Sequence, residues 1–253
     1  MGMVAAMSTH RFPAPDGVGL AVHELGEGRP VLLLHGYMSS ARANWFSPRL
    51  VQALAAVGHR VIAPDCRGHG ESDAPTDLAF WTPDVMADDV LALVAHLGLE
   101  DFDLAGYSMG ARTAVRACAR GLAPRRLVTG GMGAEGIMSA GPRADLFEDA
   151  IRHGATSRDP AMGGAIDRLM ASQGLKRQAM LGVLAAFHPT AEAEIRAIGA
   201  PTLAILGVDD HDNGSAETLA DWLPNGRSLA VPGDHGTCVS TPEFRDALVD
   251  FLA

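Results

Sequence analysis

Residues 30–34, Pro-Val-Leu-Leu-Leu, form a continuous apolar run that ends at His35 and Gly36, the pattern expected of a β-strand buried on both faces. A second such run, 60–63, leads into Asp65, and others follow at 102–105, 126–129, 201–206 and 228–231. Between them the apolar period lengthens to that of helices, at 48–57, 82–97, 111–120 and 242–252. Over 82–97, Met86, Val90, Leu93, Val94 and Leu97 fall on one face, with Thr82 and Asp84 as candidate caps. Two earlier segments, 10–12 and 20–24, flank Pro13, Ala14, Pro15, Asp16 and Gly17 and predict an antiparallel hairpin. Strands alternating with helices at this rhythm predict an α/β fold, a mostly parallel, doubly wound sheet whose sites form beyond the carboxyl ends of the strands.

One stretch breaks the alternation. Residues 133–195 carry helical patterns at 144–153, 161–172 and 176–187 but no apolar strand. They predict a helical cap inserted before the last strands, on a core domain formed by 1–132 and 196–253. Met132, Met138, Met162, Met170 and Met180 are available there as adaptable apolar surface, although packing is the plainer role for any one of them. Gly163, Gly164, Gly174 and Gly182 predict local flexibility.

Composition narrows the function classes. With 253 residues, 47% apolar and 20% charged, the chain has the make-up of a soluble globular protein large enough for a substantial core. A formal net charge of -10 argues against a nucleic-acid surface, which needs clustered Lys and Arg, and favours neutral or cationic substrates. Cys66, Cys118 and Cys238 are widely spaced, without C-x-x-C or zinc-ligand spacing, which suits a reducing, cytoplasmic setting and calls for no metal. Residues 1–7 lack Lys and Arg and read as a frayed tail rather than a secretory leader, and no apolar run reaches membrane-spanning length. Nothing in the sequence calls for a cofactor, and oligomeric state is not legible in it.

The candidate chemistry begins at Gly106-Tyr107-Ser108-Met109-Gly110, a G-x-S-x-G between a predicted strand and a predicted helix. A sharp strand-to-helix turn leaves no room for a Cβ at the two Gly positions and pushes the serine hydroxyl out at the sheet's edge. The helix start beyond it offers unpaired backbone NH groups and a partial positive charge that favour an oxyanion. A serine nucleophile needs a base and the base needs an orienting acid. Both stand at strand ends: Gly207, Val208, Asp209 and Asp210 follow one strand, and Pro232, Gly233, Asp234 and His235 follow the last. The order Ser, Asp, His is the one that accompanies such an elbow.

With these motifs in hand, the chain resembles the α/β-hydrolase fold family over nearly all of its length. His35 and Gly36 match that family's oxyanion loop, which implies the backbone NH of Tyr37 and of Met109 as the two donors. Asp65, Cys66, Arg67, Gly68, His69, Gly70, Glu71 and Ser72 match its D-x-R-G-x-G-x-S segment, Gly207 to Asp210 its acid turn, and Gly233 to His235 its histidine loop. The resemblance implies Ser108 as nucleophile, His235 as base and Asp210 as acid, with Asp209 adjacent and Asp212 close as alternatives. It leaves His35 and His69 as structural hydrogen-bonders, His211 as a surface residue, and Tyr37 and Trp45 as candidates for lining the pocket, with packing the readier role for Trp45. Cys238 lies near His235 in sequence, but an elbow nucleophile makes a catalytic thiol unnecessary.

A serine at the elbow speaks against the family's haloalkane dehalogenases and epoxide hydrolases, whose nucleophile is a carboxylate. It leaves carboxylic ester hydrolysis of a small acyl substrate as the leading expectation. Lactonase, thioesterase, carbon-carbon bond hydrolase and cofactor-free perhydrolase remain open on the same scaffold. A receptor that keeps the scaffold with residual hydrolysis is the reading from outside the enzymes.

Overall fold

A computed structural model describes residues 7–139 and 144–253. The N-terminal residues 1–6, and with them nearly all of the expected frayed tail, lie outside the described residues.

The eight strands are β1 (Ser8–Pro13), β2 (Gly19–Leu25), β3 (Arg29–Leu34), β4 (His59–Pro64), β5 (Asp103–Tyr107), β6 (Leu127–Gly130), β7 (Thr202–Gly207) and β8 (Gly226–Val231). They form one sheet in the order β1-β2-β4-β3-β5-β6-β7-β8. The β1–β2 hairpin and the β2–β4 pair are antiparallel, and β3 to β8 are parallel. The unbroken apolar runs have their explanation in the two faces. Leu32 and Leu34 point into one core while Val31 and Leu33 point into the other. In β4, Ile62 takes the first face and Val61 and Ala63 the second. A strand with helices on both sides has no solvent face on which to place polar residues.

On the first face lie α2 (Val85–His96), α3 (Met109–Ala119) and α9 (Ala216–Trp222), contributing Val90, Leu93, Ala114, Val115 and Leu219. On the second lie α1 (Leu50–Ala56) and α10 (Pro242–Leu252), contributing Leu50, Leu54, Phe244 and Leu248. Asp84 occupies the N-cap position of α2, but its carboxylate does not cap the helix. It is held instead by Arg116 at 2.7 and 2.9 Å, a tertiary ion pair outcompeting the local bond. On α2, Met86 turns away from the expected core face and packs with the helices inserted later in the chain. At the far edge, residues 227–230 of β8 are exposed, unlike the interior strands.

The segment 133–195 divides in three. Its ends, α4 (Ala134–Met138) and α8 (Glu192–Arg196), bury Ala134, Ile137 and Ile195 in the core beside α3 and α9. Between them α5 (Ala144–His153), α6 (Pro160–Gln173) and α7 (Arg177–Ala185) form a separate apolar cluster with Met38, Trp81 and Val85. Tyr37 and Met109 pack against the same cluster, so the three helices stand over the carboxyl ends of β3 and β5. Of the methionines, Met170 and Met180 are buried in this layer, Met162 packs at its margin, Met132 belongs to the sheet core, and Met138 is exposed. Gly163 and Gly182 are positions of close approach: a Cβ would stand 1.8 Å from the Gly154 carbonyl oxygen in one case and 2.5 Å from the Trp81 ring in the other.

Candidate active site

Leu104, Ala105 and Gly106 of β5 are fully buried, and the chain must turn within one residue to start α3. Ser108 takes that turn at φ 54° and ψ -115°, a conformation that costs an L-residue about 1–3 kcal/mol. Its neighbours show why glycine is needed. A Cβ at Gly106 would lie 2.2 Å from the Gly110 carbonyl oxygen, and one at Gly110 would lie 2.0 Å from that of Leu34. The Ser108 amide donates to the Gly130 carbonyl at 2.8 Å, tying the elbow to β6.

The structure brings Ser108, His235 and Asp210 together. Ser108 Oγ is 2.9 Å from His235 Nε2, and His235 Nδ1 is 2.8 Å from Asp210 Oδ2. An ionised carboxylate can only accept, so the proton sits on Nδ1, and Nε2 is left with the lone pair that faces the serine hydroxyl. Asp210 is buried at the end of β7, whereas Asp209 and Asp212 are exposed and do not reach the imidazole. Asp212 contributes only its amide, which donates to Asp210 Oδ1 at 3.3 Å. His211 is on the surface.

The His235 loop is held by its own turn chemistry. The Asp234 carboxylate accepts from the amides of Gly236 and Thr237 at 3.0 Å and from the Thr237 hydroxyl at 2.6 Å. Two neighbours of His235 were not foreseen in the sequence. Tyr107, directly before Ser108, donates its hydroxyl proton to the His235 carbonyl at 2.6 Å. Its place inside the G-x-S-x-G was the available signal. Asn213 flanks the imidazole, with Nδ2 at 3.2 Å from His235 Nδ1 and at 3.4 Å from the Gly131 carbonyl that it bonds. Nothing local in the sequence marks it. Cys238 is buried with Sγ 3.1 Å from the Tyr107 hydroxyl, and burial pushes its thiol up, away from the reactive thiolate.

Opposite Ser108 the loop after β3 is pinned from below by buried polar groups. Asn44 Oδ1 accepts from the Gly36 amide at 2.9 Å. The Cys66 amide donates to His35 Nε2 at 2.9 Å, so His35 carries its proton on Nδ1 and donates it to the Gly36 carbonyl at 2.8 Å. His69 repeats the arrangement, accepting from the Met38 amide at 3.1 Å and donating to the Arg67 carbonyl at 3.0 Å. Burial holds both imidazoles neutral, His35 well below its ordinary value and His69 down to about 3. Asp65 completes the set, accepting from the amides of Ala41 and Glu71 at 2.8 Å and from His23 Nε2 at 3.1 Å. Arg67 is clamped in two bonds of 2.6 Å to Asp89. Among the described residues, the amides of Tyr37 and Met109 have no protein acceptor; Met109 follows Ser108 directly, and Tyr37 follows Gly36, where a Cβ would lie 3.5 Å from Ser108 Cβ. The Tyr37 side chain reaches upward, donating its hydroxyl proton to the Met180 carbonyl at 2.8 Å, while Trp45 is buried in the second core and lines no site.

Comparison with known proteins agrees with this architecture. A family model for the alpha/beta hydrolase fold matches residues 29–129. The chain is 31% identical to the non-heme haloperoxidase of Rhodococcus erythropolis, over 94% of its own length and 97% of that protein. It is also 31% identical to the 2-hydroxymuconate semialdehyde hydrolase of Pseudomonas sp. strain CF600, over 94% and 91%. Further matches, epoxide hydrolases among them, span only 16–40% of the relatives concerned. A hydrolase structure from Pseudomonas aeruginosa PA01 superposes with a TM-score of 0.81, at 22% identity and with 97% and 98% of the two chains covered. On the strength of the fold and the two full-length relatives, this chain belongs to the α/β-hydrolase fold family.

Proposed function

We propose that the protein is a serine hydrolase that cleaves a small carboxylic ester through an acyl-enzyme. The observation that carries this reading is the unbroken chain Ser108 Oγ, His235, Asp210, with steps of 2.9 and 2.8 Å. Ser108 Oγ attacks the acyl carbon while His235 Nε2 takes its proton, and the carbonyl oxygen becomes an oxyanion opposite the free amides of Tyr37 and Met109. Collapse breaks the ester bond, and His235 hands the proton to the departing alkoxide. Water then attacks the acyl carbon with His235 as base, which releases the acid and restores Ser108. Asp210 holds the imidazole in the required tautomer throughout.

In the same reading, 133–195 serves as the cap, its middle helices α5–α7 forming the roof that selects the acyl group. A cytoplasmic setting and a small-molecule acyl substrate complete it.

A second reading has its own support: carbon-carbon bond hydrolysis, from the full-length resemblance to a 2-hydroxymuconate semialdehyde hydrolase. The same resemblance at the same identity to a haloperoxidase keeps perhydrolysis as a side activity of the acyl-enzyme. The test is a series of p-nitrophenyl esters run beside 2-hydroxymuconate semialdehyde, with a fluorophosphonate probe for Ser108. Ester turnover with stoichiometric labelling is the expected result. An inert serine towards both substrates and probe would sink the hydrolase reading, and turnover of the semialdehyde alone would replace the ester by the carbon-carbon bond.

A further inference from the structure

Arg112, Arg116 and Arg120 lie four residues apart on α3 and therefore share one face of that helix. Two of them form rungs to α2, which carries acids at the same spacing. Arg116 binds Asp84 at 2.7 and 2.9 Å and also Glu194 at 2.8 Å, and Arg120 binds Asp88 at 2.6 Å. The third rung, the one nearest the nucleophile, has no acid. Among the described residues the Arg112 side chain has neither an ion-pair partner nor a hydrogen bond; it is half-buried, with its Nε fully covered. Its one recorded partner is the Phe187 ring just beyond α7, 4.8 Å from the guanidinium carbon. Burial pulls its pKa down to about 10, so the group is still a cation near neutral pH, desolvated and without a counter-charge.

A partly desolvated cation without a counter-charge is costly, and such a group beside a site is a candidate to receive an anion. The position fits such a use. The Arg112 amide donates to the Ser108 carbonyl at 3.1 Å, one helical turn from the nucleophile, which sets the two Cα atoms about 6 Å apart. Met109, three residues earlier on the neighbouring face of α3, packs under the helical layer and supplies one of the free amides beside Ser108. Arg112 thus lies at the seam between the nucleophile's helix and the return from α7, one turn from Ser108 and beside the helical layer against which Met109 packs. The Phe187 ring covers the face of the guanidinium and leaves the N–H edge, the part that binds a carboxylate in a two-bond fork.

We infer that Arg112 is a specificity-determining residue that receives a carboxylate at the far end of the acyl group, so that the preferred substrates are monoesters of dicarboxylic acids or related acidic acyl compounds. The overall charge of -10 points the other way, but it is a property of the surface, whereas substrate choice is made against the groups that line the site.

This inference rests on the hydrolase reading, and its test separates the two. Mono-p-nitrophenyl adipate and p-nitrophenyl hexanoate have acyl chains of equal length and differ in the terminal carboxylate. The readout is the ratio of their kcat/KM values in the wild type, Arg112→Gln and Arg112→Lys. The ratio is expected to fall at least tenfold in Arg112→Gln, chiefly through KM, and to keep an intermediate value in Arg112→Lys, since a charged hydrogen-bonded contact is lost in one and weakened in the other. A ratio that moves less than twofold in Arg112→Gln would overturn the inference and leave Arg112 as a cation–π staple between α3 and the Phe187 segment. A second arm needs no turnover: adipate should raise the melting temperature of Ser108→Ala but not of Ser108→Ala/Arg112→Gln. If ester turnover and probe labelling fail, the hydrolase reading falls on that evidence, and the adipate shift still decides the fate of Arg112.

Discussion

The loops beneath Ser108 and the helices above it are built on opposite principles. Below, the segments after β3 and β4 are held by buried polar side chains, Asn44, Asp65, His23, His35, His69 and the Arg67–Asp89 pair, each bonded to backbone or to another side chain of that region. Above, α5–α7 are joined to the rest of the chain mainly by apolar contact around Trp81, Met170 and Met180, with the Tyr37 to Met180 bond as one of few polar ties. Hydrogen bonds are directional and fail over a few tenths of an ångström, so they suit the place where, in the proposed mechanism, two amides face an oxyanion. Apolar packing is non-directional and tolerates exchange of residues of similar volume, so it suits a surface that adapts to a substrate. The difference teaches that directional and non-directional packing are kept in separate layers here, which in the proposed reading divides chemistry from selectivity, with Tyr37, Met109 and Arg112 at the join.

The comparison can be broken at its chemical end first. Ser108→Ala is expected to lower kcat for a p-nitrophenyl ester by about 10⁶-fold and to abolish fluorophosphonate labelling, with an unchanged or slightly higher melting temperature since the strained residue remains small. Asp210→Asn should follow, with a loss of about 10⁴-fold as the imidazole takes the wrong tautomer, while Asp209→Asn stays within about twofold. Steady-state kinetics on the three proteins distinguish the buried acid from its exposed neighbour.

The lower layer should also fail in acid before the upper one. His35 and His69 are held neutral in the folded protein, His69 down to about 3, against 6.5 for the free side chain. Below pH 6.5 the unfolded chain takes up protons that the folded one refuses, so stability is complete above about 6.5 and is lost progressively as pH falls toward 3. Thermal melts across that range, with a shallower slope in His69→Gln, check the sign and the source. At fixed neutral pH, Asp65→Ala strands the amides of Ala41 and Glu71 and should cost about 3 kcal/mol in urea denaturation. Met180→Ala removes a fully buried side chain from the upper layer and should cost about 2 kcal/mol. Its hydrogen-exchange effect should be confined to α5–α7, and spread of that effect into β3 or β5 would argue that the two layers are one cooperative unit.

Much of this was legible along the chain, and the physical reasons differ by element. The buried strands announced themselves because a strand covered on both faces can hold only apolar residues, as Val31 to Leu34 do. The elbow was readable because sterics allow only glycine at 106 and 110. Asp84 takes the N-cap position expected of it, but its carboxylate goes to Arg116, because a local capping bond is worth about 1 kcal/mol and a bidentate tertiary arginine offers more. Gly163 and Gly182, expected to give local flexibility, also stand at close approaches, and a glycine needed for close approach looks the same in one dimension as one chosen for freedom. Asn213 and the roles of His35 and His69 as neutral acceptors depend on partners tens of residues away, and no local pattern encodes them.

By itself, then, the order of residues determined the alternating fold, the strained serine turn and the succession of Ser108, Asp210 and His235 at strand ends, because each of these is set by periodicity, by Cβ sterics or by strand-end position. Tertiary structure added that Asp210, the acid the resemblance implies, meets His235 while Asp209 stays exposed, and that Trp45 takes the packing role already the readier one; it alone decided that the Arg112 side chain lacks the acid its two neighbours have. Those outcomes turn on which side chains meet across the fold, a matter of distance and burial that a linear pattern does not carry.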